Sequence, residues 1–209
     1  LHMVDMYPTL LKLAGGRLES VRGGPLDGKD AWATISKGQP SPHDEILPRA
    51  RIAEECGAGA LLVSPGISGF DIIRLLSSDR SLNLPIIAHP AFLGSYVLTE
   101  NGISHGCLFG TIARIAGADA TIYPNFGGRF SFSREACADI VRACTEPFEA
   151  FAPIFPMPGG GMTIERVPDM ASLYGNDVIY LIGGGLFRHS DDLAENCRHF
   201  RALINAHNT

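Results

Sequence analysis

No stretch of this 209-residue chain approaches the roughly 18 consecutive apolar residues that a membrane-crossing helix needs, so no such helix is read. Positive charge is not in excess either. Seventeen Lys and Arg stand against 22 Asp and Glu, and the net charge of −5 gives no electrostatic case for nucleic acid or an anionic membrane surface. Cys56, Cys107, Cys137, Cys144 and Cys197 form no Cys-x-x-Cys pair and are read as free, buried thiols of a cytoplasmic protein. The opening LHMVDMYPTL lacks the basic region and small-residue cleavage site of a signal peptide. Leu1 stands where a start residue would, which leads to the expectation of an incomplete chain. What is present is a hydrophobic content of 45%, enough for a core, in a length that fits one domain or one domain and a piece of another.

Two unlike halves follow. Residues 1–47 carry a short apolar helix at Val4 to Leu13, a polar stretch with the Asp27-Gly28 turn signal, a second short helix around Trp32 and Ile35, and a loop entering a possible strand. From Pro48 a regular alternation begins. Short apolar strands are predicted at Ala60–Val63, Pro85–Ala88, Ala120–Tyr123, Ala152–Pro156 and Val178–Ile182, with helices between them. Ser133 is placed to cap one helix and Gly117 to end another. In the helix from Ser104 to Ala116, Leu108, Ile112 and Ile115 share a face. In the last helix, opened by Asp191 and Asp192, the apolar stripe is Leu193, Cys197, Phe200 and Ile204. Such strands with helical crossovers predict an α/β protein whose parallel sheet is covered on both faces. Five strands suit a small open sheet or five-eighths of a barrel.

The chain's organising stretch runs from Pro153 to His189. Two apolar runs there each end in three glycines, Gly159 to Gly161 and Gly183 to Gly185. Glycine takes positive φ and lets backbone N–H groups approach an anion, so the pair reads as a phosphate cradle; two ordinary αβ turns are the plain alternative.

The block GISHGCLFGTIARIAGADATIYPNFGGRFSFSRE, followed by PMPGGGMTIERVPDMASLYGNDVIYLIGGGLFRH, resembles the C-terminal barrel of the RuBisCO large-chain superfamily, in its RuBisCO-like (form IV) branch, over residues 48–209. The resemblance implies strands four to eight of a (β/α)₈ TIM barrel. It implies phosphate-binding backbone at Gly160 and Gly161 after the seventh strand and at Gly183 and Gly184 after the eighth. It assigns Arg129 the catalytic cation, where the family usually has lysine, and His89 a proton-transfer or hydrogen-bonding role. Pro90 stands where the family has the arginine of a second phosphate site, which argues for a monophosphorylated sugar acid or keto-sugar over a bisphosphate. The implied chemistry is a Mg²⁺-stabilised enediolate, with decarboxylation of 3-oxo-isoapionate 4-phosphate as the named expectation, in homodimers that share their sites.

The Lys-x-Asp-Glu motif that supplies the family's metal ligands is not found; Lys29-Asp30 lacks the following Glu. Residues 1–47, through HMVDMYPTLLKLAGG and PLDGKDAWATISKGQPSPHDEIL, resemble an arylsulfatase fragment without its nucleophile signature. The expectation is therefore a join near Leu47 and a truncated barrel inactive alone. The alternatives are a non-catalytic remnant keeping only the phosphate cradle and a sulfatase-derived protein. Plainer roles stand beside the assigned ones: Arg129 as a solvated loop charge, His89 as a core histidine, His105 as an exposed helix-entry residue, His189 as a helix-entry residue and Asp119 as a packing residue.

Overall fold

The computed structural model describes residues 6–17, 30–37, 46–99, 101–128, 130 and 132–207. Helices α1 (Met6–Leu13), α2 (Trp32–Lys37) and α3 (Ile46–Glu55) precede β1 (Leu61–Val63). Then come α4 (Pro65–Ser68), α5 (Phe70–Ser78), β2 (Ile86–Ala88), a π-wound segment (Gly106–Ile112) running into α6 (Ala113–Ala116), and β3 (Ala120–Pro124). Helix α7 (Arg134–Thr145), β4 (Phe155–Gly159), α8 (Val167–Tyr174), α9 (Gly184–Phe187) and α10 (Leu193–His207) complete the order. Ile46 and Leu47, expected to enter a strand, open a helix instead.

The four strands are parallel and lie in sequence order, β1-β2-β3-β4. The fourth sits three residues later than expected and carries the ladder up to Gly159, the first glycine of its turn. The expected fifth strand pairs with it only at Gly159 and Leu181. Prolines explain the shortfall. Ile179 N–H donates to Pro156 O (3.0 Å) and Leu181 N–H to Pro158 O (3.1 Å). In a parallel ladder the return bond to Ile179 would come from the N–H of residue 158, and proline has none. The Pro-Met-Pro stretch thus accepts from the fifth segment without donating back.

Helices cover one face of the sheet, not the expected two. Val63, Ile86, Ala88 and Tyr123 pack on that side against Ile73, Leu76, Leu108 and Ile140. Side chains alternate across a strand, and the opposite face carries Leu62, Phe155 and Ile179, which remain 62%, 49% and 39% exposed among the described residues. In a closed barrel that face is the filled interior. Leu62 also lies on β1, whose outer edge no described strand pairs.

The segment from Gly106 departs most from the helical reading. Its π winding changes the phase of everything after it, so Arg114 is buried and Ile115 stands 46% exposed, the reverse of the expected stripe. Glycine permits the close packing on α7: a Cβ at Gly110 would lie 2.5 Å from Ala143 Cβ. Gly106 N–H donates to Asp139 Oδ2 (2.8 Å). Arg114 donates to the carbonyls of Ala152 (2.7 Å), Phe151 (2.6 Å), Glu146 (2.7 Å) and Ala143 (3.3 Å), two of them in the last turn and C-cap of α7. A helix C-terminus is negative, which lets this buried guanidinium do without a carboxylate.

Ser133 caps α7, its hydroxyl accepting from Ala136 N–H (3.0 Å). Asp192 caps α10 from outside the helix, accepting from Ala194 and Glu195 N–H. Within α10 the buried position is Asn196; Leu193 and Cys197 of the expected stripe are exposed. The Asn196 amide donates to Leu186 O and Ser190 O and closes the turn before the helix. Cys56 and Cys107 are exposed as well, so only Cys137 and Cys144 fit the expectation of buried thiols. Burial pushes the Cys144 thiol up to about 12. No described helix is long and apolar enough to cross a membrane.

Two outcomes follow from the packing. Gly110→Ala overpacks the contact with α7 and lowers stability by about 1–3 kcal/mol, read as a fall in the urea midpoint. Leu62→Lys charges the open edge and reduces self-association of the chain in sedimentation velocity; an unchanged distribution would show that this edge is not what drives association.

Candidate functional site

The C-terminal ends of β2, β3 and β4 and of the segment 178–182 open on one cavity of about 1170 Å³. This is the end of a parallel α/β barrel where loops, not the ladder, supply the lining. His89, Gly160, Gly161, Gly183 and Gly184 all line it, together with Arg188. Arg129 lies outside the described residues, although Gly127, Gly128 and Phe130 beside it in sequence line the same cavity. No Asp or Glu is among the described lining residues, so the charged side chain there is cationic. Phe92, Phe109, Phe132, Ile122 and Leu181 supply apolar wall.

The two glycine turns are built differently. Gly160 and Gly161 have φ of 80° and 68°, and a Cβ on Gly161 would lie 2.5 Å from Gly128 Cα. The first turn therefore needs glycine for conformation and for contact with the loop after β3. Gly183 has φ −123°, and a Cβ at Gly183 or Gly184 would meet no atom within 4 Å. In the second turn glycine keeps open space over the backbone. Gly185 joins the two turns, since a Cβ there would come 2.1 Å from Met162 O.

His89 follows β2, and its N–H donates to Val63 O (2.7 Å). Its Nδ1 accepts from Ala91 N–H (3.2 Å), so the neutral ring carries its proton on Nε2. His105 is half-buried, not exposed: Phe132 meets it edge-on at 4.5 Å. Burial lowers its pKa, opposed by the nearby Asp139 carboxylate. His189 turns to Glu165 (3.6 Å) and stacks on His199 at 4.9 Å. Asp119 has a structural part, accepting from Ile86 N–H (2.8 Å) at the start of β2.

Two supporting residues escape sequence reasoning. Asn125, 1% exposed at the end of β3, donates to Met162 Sδ (3.3 Å) and Met170 Sδ (3.4 Å), and its Oδ1 accepts from Tyr174 OH (2.5 Å). Arg166 donates to Gly161 O and Phe126 O, both at 3.0 Å. Asn125 directly after an apolar run and a basic residue soon after the Gly-Gly-Gly turn are the only signals either leaves in sequence.

The Mg²⁺ that the RuBisCO-like family uses does not fit the residues described. It needs hard oxygen ligands, and no group of three or more His, Cys, Asp or Glu among the described residues is placed to hold a metal. Asp30 is engaged elsewhere, paired with Lys12 (2.6 Å) and accepting from Trp32 N–H (3.0 Å); Lys29 lies outside the described residues.

No family model matches the chain. It is 35% identical over 163 residues to a ribulose bisphosphate carboxylase-like protein of Archaeoglobus fulgidus, covering 78% of this chain and 37% of that protein. It is 37% identical over 163 residues to 2,3-diketo-5-methylthiopentyl-1-phosphate enolase of Geobacillus thermodenitrificans, covering 78% and 40%. The structure of a rubisco-like protein from Alicyclobacillus acidocaldarius superposes with a TM-score of 0.71 at 32% identity, over 80% of this chain and 42% of that one. The chain thus spans about two-fifths of the length of the relatives it matches. The arylsulfatase likeness expected for residues 1–47 finds no support and is set aside. With its parallel strands aligned to the C-terminal barrel region and its glycine turns around one cavity, the chain belongs, over about four-fifths of its length, to the RuBisCO large-chain superfamily in its RuBisCO-like branch.

Proposed function

We propose that the cavity takes a phosphorylated keto-sugar or sugar acid, and that the chemistry is proton transfer next to its carbonyl. The observation that carries this reading is the convergence of the two glycine turns with His89 and Arg188 on one cavity that no described carboxylate lines. Backbone N–H groups of Gly160, Gly161, Gly183 and Gly184 hold the phosphate. His89, with its proton on Nε2, donates to the substrate oxygen that gains charge or passes a proton to it. Arg188 contributes positive charge, and Arg129 is the cation this reading assigns to the developing oxyanion. Mg²⁺ supplies enolate stabilisation in such chemistry, and no step here is routed through it. The relative named as an enolase of a phosphorylated diketone supports enolisation as the reaction class. Decarboxylation of 3-oxo-isoapionate 4-phosphate is a more specific form of the same proposal.

A second reading keeps phosphate binding without turnover. It is favoured by the exposure of Leu62, Phe155 and Ile179 on the face that a barrel would enclose, which leaves the sheet beneath the cavity open.

The test is in two parts. Titration with inorganic phosphate by calorimetry gives saturable binding, and Gly184→Ala weakens it about tenfold or more. The added methyl meets no protein atom, so the fold is kept while the space over the backbone is lost. A phosphorylated ketose in D₂O with Mg²⁺ then loses its α-proton signal by NMR if the chain enolises it. Binding without exchange supports the second reading, and no phosphate binding sinks both.

A further inference from the structure

We propose that Arg166 is a positioning residue that locks the Gly159–Gly161 turn and the base of the loop after β3 into one anion-binding geometry, an inference resting on the phosphate reading of the cavity. Arg166 is half-buried just before α8, and its two terminal nitrogens reach different segments. Nη1 donates to Gly161 O and Nη2 to Phe126 O, both at 3.0 Å. A guanidinium is planar and rigid, so two carbonyls on one fork are fixed relative to each other as well as to the arginine. The Phe126 ring, 9% exposed, strengthens the hold, with the Arg166 guanidinium 4.7 Å and the Arg134 guanidinium 5.2 Å from its centroid.

The peptide plane carries this constraint to the cavity. In a trans peptide the N–H points opposite to the preceding carbonyl. Holding Phe126 O and Gly161 O on Arg166 turns the N–H groups of Gly127 and Met162 away from it. Both residues line the cavity, and neither N–H donates to a described residue. Gly127 also leaves room for the fork, since a Cβ there would stand 3.1 Å from Nη1. No carboxylate among the described residues pairs with Arg166, so its charge adds to the field around the turn. Lysine would keep that charge and lose the fork.

The test uses the full chain, inorganic phosphate as probe, and the variants Arg166→Lys and Arg166→Gln. Phosphate affinity is read by calorimetry, and amide hydrogen exchange follows residues 126–128 and 160–162, with α10 as the internal control for folding. Both variants are expected to bind phosphate at least about fivefold more weakly, the loss of one charge-assisted hydrogen bond, and to exchange faster at both segments while α10 keeps its protection. Wild-type affinity in Arg166→Lys with a loss only in Arg166→Gln would show that charge, not the fork, matters, and would overturn the proposal. Unchanged exchange at either segment would overturn it as well. Failure of the wild-type chain to bind phosphate would overturn the reading beneath it and, with it, the anion-binding role of Arg166. That failure is told apart because exchange at the two segments would still respond to Arg166→Lys.

Discussion

The buried amide of Asn125 is the constraint on which the functional end of this fold depends. An amide taken out of water must find partners, and those at the end of β3 come from three directions. Its backbone N–H donates to Gly159 O (2.9 Å), its side chain to the sulfurs of Met162 and Met170, and Tyr174 OH donates to it. Thioethers are weak acceptors, so the hydroxyl bond carries most of the satisfaction. Burial pushes the Tyr174 hydroxyl well above the ordinary range, which keeps it a donor at any physiological pH. One side chain thereby ties the end of β3 to the residue after the first glycine turn and to α8. Where β3 and β4 stop, and how their loops stand apart, follows from this knot.

The ladder beneath it is asymmetric. Pairing of β3 with β4 runs through five registered positions from Ala120 and Phe155 to Pro124 and Gly159. Beyond β4 the sheet weakens, because Pro156 and Pro158 turn only carbonyls toward the next segment. The second glycine turn is held instead by the contact of Gly185 with Met162 O and by Asn196 fastening Leu186 and Ser190 from α10. The cradle thus rests on one stiff turn, strained into positive φ, and one open turn anchored from a helix.

What was legible in the sequence follows from which interactions are local. Glycine triplets after apolar runs, the Ser133 cap and the left-handed Gly117 with φ 93° are decided within a few residues, and they stand where expected. The cavity lining at His89, Gly160, Gly161, Gly183 and Gly184 was legible because parallel strands bring their ends to one side. The π winding from Gly106 was not, because it depends on how closely Gly110 approaches Ala143 across 33 residues. The late start of β4 depends on a register with β3 that a run such as PIFPMPGGG does not reveal. Buried Arg114, Asn125 and Asn196 were missed for one reason. A polar residue is buried when distant carbonyls or hydroxyls satisfy it, and hydropathy patterns carry no record of them.

Arg114 and Arg166 show how the two ends of the sheet divide their tasks. Each uses its guanidinium on backbone carbonyls, and neither has a carboxylate partner among the described residues. Arg114 sits below β4, 3% exposed, and its four carbonyls belong to the end of α7 and the entry to the strand. Arg166 sits above β4, half-buried, and its carbonyls belong to loops lining the cavity. In a parallel α/β barrel the N-terminal end of the strands serves stability and the C-terminal end serves chemistry. The same chemical device therefore has different consequences at the two ends. Below, it seals a connection against water. Above, it sets the direction of peptide planes over an anion site, where a small rotation changes what the site can bind.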